Sequence, residues 1–370
     1  MNIPSTGLRP CRHPLRAGAL LLLAIPFTLP AQAHGPFPWI TTNYVQLLDA
    51  GNTKSVDDVI GSPYNTNEIY CTKTGNDYRE VRKYTLTRTT NGTVNGATLD
   101  WISPSLLPGV NLGLKALDLY NADTIFYTLE QGGANKLGSV GRLTGLGSSP
   151  VHLEAAATSG TAYHPEGIAI DRRNNLLYVM NDDGDQTGGG GGAIVAQYAI
   201  NPTTLELTFR WSTMVQAGEA NGNDGIVLSD GRVAVVAGST SVNLYAVAPG
   251  GAAIVNLLSG SVTGELPQAL LEFDGYLYLA WEDGKIQAFD ASDLTRMITT
   301  PVATWDLDTI LGGDVSIGGI GLTADYHLLV GSRVSGSGTD KALSTKVFLF
   351  PSSGPPTHAA PTTGLILTVL

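Results

Sequence analysis

Three observations on the 370-residue chain predict its fold class. A short pattern returns at intervals of about 44 to 58 residues. Gly, Thr, Val and Tyr are abundant while charged residues make up only 14%, which suits strands joined by tight turns. No helical stripe of useful length appears beyond the N-terminal segment. Together they predict an all-β chain: a six-bladed β-propeller of four-stranded antiparallel blades around a central funnel. A mean period of about 48 residues would also fit seven blades.

The N-terminal segment reads as an address. Arg9, Arg12 and Arg16 form a positive n-region, Ala19–Phe27 an apolar core too short to span a bilayer, and Ala31–Ala33 an A-x-A cleavage site. Residues 1–33 are thus expected to be a signal peptide, with the exported chain, secreted or periplasmic, starting at His34. No later stretch is apolar enough for a membrane anchor. Without the three signal arginines the chain holds 18 basic against 32 acidic residues. Such a surface disfavours nucleic acid and anionic membranes. Cys11 leaves with the signal, so Cys71 has no intrachain partner and is expected to be a buried small hydrophobe.

The propeller is expected over residues 34–350. Each copy has a first strand, a turn rich in Asp, Asn or Gly, and a strongly apolar second strand. The clearest are Glu166–Asp171 with Leu176–Met180, Asp224–Leu228 with Arg232–Val236, Gln268–Glu272 with Tyr276–Ala280, and Gly319–Leu322 with Tyr326–Val330. Lys115–Leu119 with Thr124–Thr128, and Val56–Val59 with Glu68–Cys71, match with less force. Third strands are expected at Arg82–Leu86, Ala196–Ile200, Val242–Ala246, Lys285–Phe289 and Lys346–Phe350, and a fourth at Leu205–Trp211. Either Ile40–Leu48 or Leu365–Leu370 should supply the outer strand that closes the last blade. The Pro/Ser/Thr-rich Pro351–Thr363 reads as a linker.

Inner strands radiate from the axis, so the residues that open them should converge on the funnel. That ring holds Asp57 or Asp58, Lys115, Glu166, Asp224, Gln268, and Asp314 or Ser316. Carboxylates meeting on one axis repel one another unless a cation or protons compensate. Mixed carboxylate and amide oxygens suit a hard ion such as Ca²⁺, which could polarise a carbonyl or phosphoryl oxygen. His164 is the candidate general base. The competing expectation is that Asp, Asn and Gly at strand openings only shape turns.

The segments His164–Asp171 and Asn221–Gly231 resemble the blade openings of secreted six-bladed propellers of the gluconolactonase, paraoxonase-type lactonase and strictosidine-synthase-like superfamily. That resemblance implies a divalent cation, often calcium, held by Glu166, Asn223 and Asp224, with Asp57 or Asp58 standing in for an N-terminal Glu ligand. It implies a metal-dependent lactone or ester hydrolase acting on a small-molecule or glycan substrate. A phytase-like phosphoester hydrolase, a metal-free lyase or cyclase, and a non-enzymatic ligand-binding propeller are the alternatives.

Other features are weaker. Asn181–Asp185, followed by the Gly188–Gly192 run, resembles a calcium loop but lacks an EF-hand's distal Glu. His34 at a new N-terminus could chelate copper. His327 reads as structural, Asn91–Thr93 is a glycosylation sequon meaningful in a eukaryotic host, and no Gly-x-Ser-x-Gly elbow occurs. Nothing in the composition sets an oligomeric state.

Overall fold

The structure, a computed structural model, describes residues 36, 39–49, 55–75, 78–104, 112–131, 138–148, 150–154, 165–181, 192–216, 222–238, 242–251, 254–260, 266–295, 300–334 and 343–352. The expected signal peptide, the residues 182–191 of the Asp/Gly loop, His34, His164 and the 365–370 strand lie outside them.

The chain forms six antiparallel four-stranded sheets arranged as a six-bladed β-propeller. β1 (Val45–Asp49) comes first in sequence and belongs to the last blade. Blade one is β2 (Val59–Gly61), β3 (Glu68–Gly75), β4 (Tyr78–Arg88) and β5 (Val94–Ile102). Blade two is β6 (Leu112–Asn121), β7 (Thr124–Gln131), β8 (Ser139–Thr144) and β9 (Val151–Glu154). Blade three is β10 (Pro165–Asp171), β11 (Leu176–Asn181), β12 (Ala193–Ile200) and β13 (Leu207–Gln216). Blade four is β14 (Gly222–Val227), β15 (Val233–Ala237), β16 (Val242–Val247) and β17 (Ile254–Gly260). Blade five is β18 (Pro267–Phe273), β19 (Tyr276–Trp281), β20 (Lys285–Asp290) and β21 (Ala303–Asp306). A five-residue helix, α1 (Leu307–Leu311), leads to blade six: β22 (Ile317–Leu322), β23 (Leu328–Ser332) and β24 (Lys346–Phe350).

β1 is hydrogen-bonded antiparallel to β24, with Val45 opposite Leu349 and Asp49 opposite Lys346. Of the two strand-like ends, the N-terminal one therefore closes the ring. Closure removes the free edge that β24 would otherwise present.

The turns follow their residues. β18 and β19 meet at Asp274 (φ 51°) and Gly275 (φ 81°), the double positive φ of a type I′ hairpin. α1 was not expected, because five residues are too few for a periodic signal. It is built by its ends: Asp306 accepts from the Thr309 N–H, and Gly312 adopts the left-handed conformation (φ 74°).

The core is divided by the ring itself. Six clusters of buried side chains fill the six blade–blade interfaces, one each. In blade three, Ile168, Ile170, Leu177 and Val179 point toward blade two, while Ala169, Leu176, Tyr178 and Met180 point toward blade four. A second strand is therefore buried on both faces, which is why β11, β15 and β23 are unbroken apolar runs rather than alternating ones. Burying each such side chain stabilises by about 1.5–3 kcal/mol. Cys71 sits in the blade six–blade one cluster, its thiol pushed up to about 12 by burial. A small hydrophobe, as its neighbours implied, is what the core uses there.

Candidate functional site: the propeller axis

Five of the six inner strands reach the axis through an irregularity. The β10, β14, β18 and β22 ladders shift register at their first residues, at Pro165/Gly167, Gly222/Asp224, Pro267/Ala269 and Ile317/Gly319, and the β6 ladder after three regular pairs, at Leu114/Leu117. Such a β-bulge leaves an extra residue unpaired and re-aims its side chain. The extra positions are Lys115, Glu166, Asn223, Gln268 and Gly318; in blade one Asp57 holds the corresponding place. The next positions include Asp58, Ala116 and Asp224. The matching of Asp58 with Ala116 is supported by their amides, which donate to Thr72 Oγ1 at 2.8 Å and Thr128 Oγ1 at 3.1 Å.

At the axis lies a cavity of about 30 Å³, lined by Asp57, Asp58, Lys115, Glu166, Asp224, Gln268 and Arg333, with Ala116, Ala269, Gly318 and Gly319 between them. That volume admits roughly one or two water-sized groups.

Its polar groups are interlocked. Lys115 Nζ lies 2.8 Å from Glu166 Oε1, linking blades two and three. Arg333 Nη1 donates to Gln268 Oε1 at 2.6 Å, and its Nε is 3.8 Å from Asp57 Oδ1, so one guanidinium spans blades five, six and one. Asp58 accepts the Val59 N–H at Oδ1 (2.7 Å) and the Leu117 N–H of blade two at Oδ2 (2.9 Å). Asp224 Oδ2 accepts the Leu270 N–H of blade five at 2.9 Å. Two residues deeper than Ala116, Asp118 accepts the Ile170 N–H of blade three at 2.9 Å and pairs with Arg172.

Burial dominates the electrostatics. Asp58 is pushed well above the ordinary carboxylate range by burial and then by the charge of Asp224 across the axis. Asp118 is raised by burial against the opposing pull of Arg172. Burial lifts Asp224 to about 7. The axis thus gathers four carboxyl groups at the cavity and two cations.

Six of the residues named for the funnel, Asp57, Asp58, Lys115, Glu166, Asp224 and Gln268, share this cavity. Asn223 is on β14, and nothing further is described of its side chain. Asp314 is a correction: it is exposed, ahead of β22, with its carbonyl accepting the Leu343 N–H at 3.1 Å. β22 starts at Ile317 and bulges at Gly318, so the chain reaches the axis a turn after Asp314. Ser316 is fully buried and does not line the cavity. Blade six supplies Arg333 instead, from the inner end of its second strand. Arg333 and Asp118 were missed. The signal for Asp118 was a lone acid within the apolar Leu112–Tyr120 run, and for Arg333 a base directly after the apolar β23.

Among the described residues no three Asp, Glu, His or Cys side chains are grouped as an ion cage. Asp58 has both oxygens engaged by backbone N–H groups, Glu166 is paired with Lys115, and Arg333 stands at the same cavity. A cation with six to eight oxygen ligands fits poorly beside two fixed positive charges.

No protein-family model and no curated protein matches the chain. The solved structures it resembles are of low sequence identity. A protein of unknown function from Dyadobacter fermentans is 12% identical with a TM-score of 0.57, covering 85% of this chain and 100% of its own. Streptogramin B lyase is 12% identical with a TM-score of 0.49, over 83% and 96%. The C-terminal WD40 domain of Sif2 is 10% identical with a TM-score of 0.44, over 84% and 99%. At such identities the likeness concerns the fold alone.

Proposed function

We propose that the axial cavity is the reacting end of a small-molecule hydrolase acting on an ester or lactone carbonyl, with Asp224 as general base and Lys115 and Arg333 stabilising the oxyanion. The observation that carries this reading is placement. Asp224 of blade four lies across the ring from blade one, and the two cations come from blades two and six, which flank blade one. A group at about 7 takes up and returns a proton at neutral pH, the range in which general-base catalysis is most effective. The cavity matches a carbonyl group and one water in size. Asp224 takes a proton from that water as its oxygen adds to the carbonyl carbon. Negative charge grows on the carbonyl oxygen toward Lys115 and Arg333. Collapse breaks the bond to the leaving oxygen, which receives the proton from Asp224.

Turnover of a panel of lactones and aryl esters should rise with pH about a midpoint near 7, persist in EDTA, and fall at least ~100-fold in Asp224→Asn. A folded protein that turns over none of them ends this reading. Activity abolished by EDTA would instead favour calcium at Glu166, Asn223 and Asp224. A second reading, an exported propeller that binds a polar ligand without turnover, is favoured by the internal pairing of Lys115 with Glu166 and of Arg333 with Gln268. Export rests on residues 1–33, and a secreted protein whose N-terminus is His34 is the expected result by mass spectrometry.

A further inference from the structure

We propose that Asp58, Asp118 and Asp224 are clasps that join neighbouring blades at the axis, so that the ring closes without an axial metal ion. The argument starts from the edges. An innermost strand is paired on one side only, so its axis-facing amides have no partner within their own blade. A buried N–H left in that state is costly. At three of the six boundaries the neighbouring inner strand supplies the acceptor as a carboxylate. Asp58 takes the Leu117 N–H between blades one and two, Asp118 the Ile170 N–H between two and three, and Asp224 the Leu270 N–H between four and five.

The first and last of these are the same device. Asp58 and Asp224 hold matching places beside the bulge, and Leu117 and Leu270 match in the strands they reach. Asp118 repeats it two residues deeper, where blade two has Ala116 instead of an acid at the upper level. The remaining boundaries close by other means. Arg333 bridges five, six and one, and the Val56 N–H donates to the Ser332 carbonyl at 3.1 Å between one and six. Between three and four, Met180 fills the space over Gly225. Asp58 and Asp224, which would be ligands in a metal-centred ring, here accept backbone amides. This inference is independent of any catalysis, and its tests use no substrate.

Thermal unfolding is the test. Millimolar calcium and EDTA should each leave Tm unchanged, since an ion that binds only the native state would raise it. Asp58→Ala and Asp118→Ala should each lower Tm by about 3–8 °C, the effect of a buried donor losing its acceptor in a domain of this size. Asp58→Asn, which keeps an acceptor oxygen, should recover at least half of the loss. Calcium raising Tm by several degrees, with the gain lost in Asp58→Ala, overturns the proposal. Should the alanine variants not fold, amide exchange in the wild-type chain decides. The Leu117, Ile170 and Leu270 amides should exchange as slowly as ladder amides, and fast exchange at all three removes the clasps.

Discussion

Gly318 shows what single residues do at the seam of this ring. A Cβ there would lie 2.2 Å from the Val56 carbonyl oxygen, and one on Gly321 would lie 2.4 Å from that of Val59. The inner strands of blades six and one therefore meet backbone to backbone. Gly318→Ala must push β22 and β2 apart and should cost about 1–3 kcal/mol, read as a lowered urea midpoint. Gly231 is the control: its φ is 86° but no atom lies within 4 Å of an added Cβ. Gly231→Ala should cost only the backbone term, about 1 kcal/mol. At this scale the sequence was informative where chemistry sits at a strand opening. Lys115, Glu166, Asp224 and Gln268 are polar residues placed just ahead of apolar runs, and all four reach the cavity. Arg333 follows its strand instead of preceding it, and only the pairing of β23 with β22 brings it to the axis.

Elements divide into those whose burial is decided by their own residues and those decided by neighbours. The second strands were legible because burial on both faces demands a continuous apolar run, as in Val233–Ala237. The outer strands were legible only in part: β13 overlaps the strand expected at Leu205–Trp211 and β1 the one at Ile40–Leu48, while β5, β9, β17 and β21 gave no signal. β5, with exposed Leu99 and Ile102, and β13, with exposed Phe209 and Met214, meet water along one edge and mix polar with apolar residues. β1 is the element on which closure depends. Leu47 from β1 is buried in the blade six–blade one cluster with Leu329, Val347 and Leu349. Leu47→Ala should cost about 2–4 kcal/mol, visible as a lower Tm. At the other end of the same interface, Arg88 of β4 bonds Asp325 at 2.8 Å. His327 Nε2 lies 3.2 Å from Asp325, and its Nδ1 accepts the Ser352 N–H at 2.8 Å, in keeping with a structural histidine.

The molecule as a whole carries the consequence of gathering acids at its centre. Asp58, Asp118, Asp224 and, between blades four and five, Glu272 all have raised folded-state values, with burial the largest cause of each. The native state therefore binds more protons than the unfolded chain, where Asp ionises near 3.9. Stability contributed by a raised acid is fully present below the unfolded value and is lost as pH rises through the folded one. For Asp224 that window runs from about 4 to about 7. The urea midpoint should fall between pH 5 and pH 8 by an amount worth roughly 2–4 kcal/mol, and Asp224→Asn should flatten the slope. A midpoint that rises over this range contradicts the arrangement of the axis. Asp325 and Asp230 are shifted the other way, so their stabilisation fades only in stronger acid. By itself the amino-acid order determined the repeat and the polar positions that open the inner strands, because period, turn chemistry and local burial are written over short stretches, whereas the choice of six blades over seven came from the packed sheets. Which end of the chain closes the ring, which blade contributes a cation from its second strand, and whose carboxylate takes whose amide were decided only by the tertiary structure. Those relations link residues as far apart as Asp57 and Arg333, and they exist once six sheets have packed around a common axis.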